Sequence, residues 1–126
     1  VYVPIFRSSL PQLFEVFDFA NPSLVTGRRD ISTVAPQALF MMNHAFVRTQ
    51  ARLTANRLLS NPQLKESHRI DHAYLQVLGR HATEAEVSLS QEFLKAVIDK
   101  TEKGQVEAWT QMVQSLFSTI DFRYVR

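Results

Sequence analysis

The chain has 126 residues, 45% of them hydrophobic and 21% charged, with fourteen Lys and Arg against twelve Asp and Glu. That length suits one domain with one core, and the near-neutral balance, with no window of five or six basic residues, argues against nucleic acid as a partner. Without a cysteine the chain itself holds no disulfide, thiolate zinc site, Cys nucleophile or covalent haem attachment, and three Gly with five Pro are too few for an all-β fold.

Val1-Tyr2-Val3-Pro4-Ile5-Phe6 is β-branched and aromatic but interrupted by proline, so it reads as an edge strand or an extended arm. No apolar run reaches the length of a membrane span, and Pro4 and Arg7 break any signal-peptide pattern. The start at Val1 rather than Met reads as processing or an internal boundary. Pro11 opens a short helix through Phe17. From Asp18 to Ser32 turn formers replace helical period, which predicts a loop of some fifteen residues, a length often tied to function.

Ser32 or Thr33 is placed to cap the next helix, with Pro36 in its first turn and the all-round apolar run Ala38-Leu39-Phe40-Met41-Met42 behind it. Asn43 is the expected cap of a second helix marked by Phe46, Val47, Leu53 and Leu58, which Asn61-Pro62 ends. Ile70, Ala73, Tyr74, Val77 and Leu78 form one helical stripe, closed by Gly79. Thr83 and Glu86 have capping-box spacing for a helix from Glu84 to about Thr101, burying Val87, Leu94, Val97 and Ile98. After Lys103-Gly104, Trp109, Met112, Val113, Leu116, Phe117 and Ile120 stripe a last helix, and Asp121 to Arg126 alternates like an extended tail. The expected fold is all-α, a compact bundle of five or six helices with extended N- and C-terminal arms, within a single domain spanning 1–126.

His68 and His72 stand four apart on a helix, a spacing that suits one metal. Helical phase turns both away from the Ile70–Tyr74–Val77 stripe and into water, and without a third ligand no metal site is expected. Asp18, Arg28, Arg29 and Asp30 bracket the long loop with both charge signs. Two arginines can grip a carboxylate, sulfate or phosphate, but opposite charges so close together are better read as pinning the loop. Asp18, Arg28, Arg29, Gln37 and Asn43 are therefore the candidate polar site, with no catalytic, cofactor or metal residue assigned. Phe40, Phe46, Phe93, Trp109 and Phe117 sit at helical spacing among aliphatic neighbours and read as core rather than a cofactor pocket.

The string Val25-Thr26-Gly27-Arg28-Arg29-Asp30-Ile31-Ser32-Thr33-Val34-Ala35-Pro36-Gln37-Ala38-Leu39-Phe40-Met41-Met42-Asn43 resembles a planctomycete-type secreted domain of unknown function. So do Tyr74 to Arg80 with Thr83 and Glu86, and the ending Leu116 to Val125. That family's domain lies C-terminal in long proteins with a cytochrome-c-like region upstream. The resemblance implies that this chain is the C-terminal fragment of a larger domain, in a periplasmic or extracellular parent carrying haem c elsewhere. It implies a structural or interaction role toward other domains of the parent, with extracellular polysaccharide as a further partner. The alternative it leaves open is part of an enzyme acting on such a polysaccharide, with an active site shared with segments outside this chain.

Overall fold

A computed structural model of the chain describes Val16, residues 34–97 and residues 101–123. Among these residues there are six helices and no strand. They are α1 (Val34–Asn43), α2 (Ala45–Leu59), α3 (Glu66–Leu78), α4 (Glu84–Val97), α5 (Glu102–Phe117) and α6 (Ile120–Arg123). The all-α expectation holds. The chain divides into two compact units, Val1–Phe40 and Met41–Arg126. In the first, Val16 is helical, as the Pro11–Phe17 reading has it, and Gln37 and Phe40 on α1 are buried. The extended arm and the Asp18–Ser32 loop lie outside the described residues.

In the second unit α2 and α5 share the most extensive packing, and α3 and α4 close against them. Small side chains make this possible: Ala51, Ala55 and Ala108 are fully buried, so the two backbones can approach closely. Trp109, 1% exposed, fills the same core with Ile70, Tyr74, Leu94, Met112, Val113 and Leu116. A ring of that size removes roughly 150–250 Å² from water, the largest single contribution a side chain can make here. The stripes predicted on α3 and α5 are the ones that turn inward.

The caps follow local rules, with two corrections. Asn43 does not cap the second helix but ends the first. His44 does the capping, because its backbone is extended (φ −75°, ψ 130°) and its Nδ1 accepts from the Phe46 N–H at 3.2 Å. Likewise α4 does not run on to Thr101. Thr101 is the N-cap of α5, its Oγ1 accepting from the Gly104 N–H at 3.1 Å, so Gly104 lies inside the first turn instead of breaking the chain before it. Gly79 closes α3 in the left-handed region (φ 70°), as its position after Leu78 requires.

Several apolar residues expected inside face water. Phe46, Leu53, Phe93, Val97 and Ile120 are exposed, since each falls off the inward arc of its helix or at a helix end. Ile98 lies outside the described residues. The tail is not extended from Asp121, because Ile120–Arg123 forms a helical turn started by the Thr119 hydroxyl, which accepts from the Phe122 N–H.

Candidate functional site

Polar chemistry in the second unit gathers where α3 turns into α4. Gly79 frees the chain from helix geometry, and Arg80 immediately after it swings its guanidinium over the Tyr74 ring, 5.6 Å from the centroid. Its Nη1 and Nη2 donate to the two Glu86 oxygens at 2.9 and 2.7 Å, a fork-to-fork pair. Nη1 also donates to the His81 carbonyl at 3.1 Å, while Nε and Nη2 donate to Asp121 Oδ2 on α6 at 3.3 and 2.8 Å. One side chain thus joins α3, α4 and α6.

Glu86 is held from its other side by the predicted capping box. Thr83 N–H donates to Glu86 Oε2 at 2.8 Å, and the Glu86 N–H returns to Thr83 Oγ1 at 3.3 Å. Bonding to Arg80 first, and to Thr83 after it, holds the Glu86 carboxyl down at about 2 from an ordinary 4.5. Arg80 is correspondingly raised by Glu86 and Asp121 and stays charged throughout. Beside this hub Asp71 accepts from the Ala82 N–H at 2.9 Å and lies 2.9 Å from His81 Nδ1, and the His81 bond lowers its carboxyl.

A second cation, this one buried, has no carboxylate partner among the described residues. Arg69, 8% exposed, lies over Trp109 at 5.8 Å and donates from Nη2 to the carbonyls of Asn61 and Leu64 at 2.8 and 3.2 Å. Its Nε is buried without a partner. The guanidinium therefore ties the Asn61–Leu64 turn to the tryptophan by backbone acceptors and a π face, a structural arrangement bought at the expense of one unsatisfied N–H.

Of the sequence-derived site, Asp18, Arg28 and Arg29 lie outside the described residues. Gln37 is buried and Asn43 is exposed on α1, six positions apart, which helical phase puts on different faces. His68 and His72 are both exposed, as their phase against the α3 stripe requires. Among the described residues no group of three or more His, Asp or Glu is arranged to hold a metal. The Arg80 hub is absent from the sequence-derived set. Its capping-box half was visible in the spacing of Thr83 and Glu86, but Asp121 lies 41 residues from Arg80 and nothing local announces it.

Two surfaces face outward. A groove of about 620 Å³ runs between α2 and the start of α5, where Arg52 and Asn56 look across to Thr101 and Lys103. On α4, Leu89 is 67% and Phe93 37% exposed, one helical turn apart, with exposed Ala85 and Ala96 continuing the stripe. The inward side of the same helix is already filled by Ser90 and Leu94.

Fold and site together define a helical protein in which, among the described residues, the Arg80 cluster joins elements of the second unit to one another. The chain belongs to the family described as PSD1, protein of unknown function (DUF1553), whose model matches residues 1–94. The matched span contains the Val25–Asn43 and Tyr74–Arg80 strings and both capping-box residues, while the Leu116–Val125 string lies beyond it. No curated protein and no solved structure matches the chain.

Proposed function

We propose that this chain is an interaction module of a larger secreted protein, one associated with a cytochrome-c-like region, and that it docks onto other domains of that parent through α4. The observation that carries this reading is the Leu89–Phe93 stripe on a helix whose inward side is already filled by Ser90 and Leu94. Leaving two large apolar side chains in water costs the free chain about 1.5–3 kcal/mol for each that a partner could bury. Contiguous apolar surface of this kind marks contact sites more often than single exposed residues do. Export to the periplasm or beyond belongs to the same proposal and rests on the family strings. No described helix is long and apolar enough to cross a membrane.

The test is binding between this chain and the remainder of the parent, each expressed separately. Leu89→Lys with Phe93→Lys is expected to weaken association at least tenfold with an unchanged circular dichroism spectrum and melting temperature. Undiminished association of the double variant sinks the reading.

The groove beside Arg52, Asn56 and Lys103 favours a second reading, in which the chain contributes polar groups to an extracellular enzyme acting on polysaccharide. Glu107 also lines the groove, but its carboxylate is paired with Arg48, and the two remaining cations and the amide suit an acidic sugar better than a neutral one. Thermal protection by uronic acids or sulfated sugars that Arg52→Ala with Lys103→Ala removes supports it, and no protection of the wild type eliminates it.

A further inference from the structure

The four-residue helix α6 is too short to hold itself together, since a single helical turn fixes more dihedral angles than it gains hydrogen bonds. Its attachment is therefore tertiary. Asp121 reaches Arg80, and Phe122 stacks on Phe117 with ring centroids 5.0 Å apart and planes inclined at 59°. Ser118 and Thr119 link it to α5 outside any helix. Ile120 and Phe122 remain exposed on its outer side even while it is docked.

The way Asp121 meets Arg80 leaves room for a better fit. Glu86 uses both oxygens on the Nη1–Nη2 edge, one per donor. Asp121 meets the Nε–Nη2 edge with Oδ2 alone, at 3.3 and 2.8 Å, so one oxygen serves two donors. A carboxylate free to orient would set one oxygen on each, the geometry in which a guanidinium edge binds best. Both side chains of the Arg80–Asp121 pair are more than a third exposed, a setting in which ion pairs contribute little and are screened by salt. A docked helix held by weak contacts of this kind meets the condition for a ligand to shift it to a lifted state.

We propose that α6 is a releasable strap, and that Asp121 and Phe122 occupy in cis a seat, formed by Arg80 and Phe117, that takes a carboxylate-plus-aromatic segment of a partner polypeptide when the strap lifts. This rests on the interaction-module reading but uses a different surface, so the α4 variants above test that reading separately. Release frees the Nε–Nη2 edge of Arg80 and uncovers the Phe117 ring, while Glu86 keeps the guanidinium aimed from its other side. The incoming segment supplies an Asp or Glu for Arg80 and, beside it, an aromatic ring for Phe117.

The probe is an acetylated, amidated peptide with the sequence of Ser118–Arg123, added to the whole chain and followed by calorimetry and amide chemical shifts. Asp121→Asn is expected to remove hydrogen-exchange protection from the amides of residues 120–123 while leaving those around Leu94 and Val113 unchanged. That variant should bind the peptide at least tenfold more tightly than the wild type does, and lose the gain when the peptide's own Asp is replaced by Asn. Arg80→Lys, which keeps the charge but not the fork, should abolish the difference between the two peptides. Equal binding of the acidic and amide peptides by Asp121→Asn overturns the proposal. So does an Asp121→Asn protein that keeps protection across 120–123. Should Asp121→Asn fail to fold, Phe122→Ala loosens the same strap from its aromatic side. Global unfolding of both variants would make α6 an integral part of the core and also refute the strap.

Discussion

The seam between α2 and α5 and the turn between α3 and α4 are stabilised in opposite ways. Ala51, Ala55, Ala108 and Trp109 hold the seam by excluding water, an interaction without direction that tolerates small shifts so long as volume is conserved. Gly79, Arg80, Thr83, Glu86 and Asp121 hold the turn by hydrogen bonds with fixed donors and acceptors, each partly open to solvent. The seam should therefore respond to changes of volume and hardly at all to pH or salt, and the turn the other way round.

The largest expected effect is at the seam. Trp109→Ala should destabilise the chain by about 3–5 kcal/mol in urea titration, because the ring is fully buried and the surroundings cannot collapse into its space. A loss under 1 kcal/mol would mean that the core repacks freely and the contrast fails. Next comes the turn, read by pH. Glu86 has a folded value of about 2 against an ordinary 4.5, so its contribution is complete above pH 4.5 and disappears as pH falls through 2. Stability should fall across that window, by about 1.5–3 kcal/mol for a carboxylate bonded to a guanidinium. Glu86→Gln should remove most of the slope while leaving the effect of Trp109→Ala intact, and an unaltered slope would mean that other carboxylates produce it.

Gly79→Ala should cost about 1–2 kcal/mol by thermal melting, since φ is +70° and the penalty is backbone strain, with no atom within 4 Å of the added carbon. Asn at the same position should recover part of that loss, because it tolerates the left-handed region better. Smallest is Thr83→Ala, at about 1 kcal/mol for one lost cap, expected to be additive with Trp109→Ala and non-additive with Glu86→Gln. Additivity between Thr83→Ala and Glu86→Gln would show that the two halves of the box act independently.

What sequence reasoning recovered follows the same division. The α3 stripe, the Gly79 stop and the Thr83–Glu86 box are properties of neighbours within eight residues, and helical phase or cap chemistry dictates them. Arg69 was missed because a charge inside an apolar stripe looks like a solvated position until one sees that the turn carbonyls of Asn61 and Leu64 come within its reach. Phe93 and Leu89 have the same composition whether they face a core or a partner, so phase alone could not assign them. Thr101 is less legible than Gly104 because glycine is the stronger punctuation mark in a sequence, although an N-cap hydroxyl accepts a glycine N–H as readily as any other. Of the five candidate site residues, Gln37 and Asn43 fall among the described residues, Gln37 buried and Asn43 exposed. The Arg80–Asp121 bond, the one that converts the turn into a hub, depends on the tertiary path of the chain and has no local signature.

Gln114 also reaches far back along the chain, its Nε2 donating to the Met41 and Met42 carbonyls at 3.2 and 2.7 Å across 73 and 72 residues. Those carbonyls belong to the last turn of α1, where a helix has no N–H donors of its own for them. On a ribosome adding 5–20 residues per second, that turn waits roughly 4–14 s between its own synthesis and the arrival of the side chain that closes it. During this interval the Gln114 bonds cannot form, and the chain's early helical content must come from segments that need no such distant cap. Its closure is accordingly a late event. Gln114→Ala should accelerate unfolding and leave the refolding rate nearly unchanged, a φ-value close to zero at the point where the first-made described helix meets the last long one.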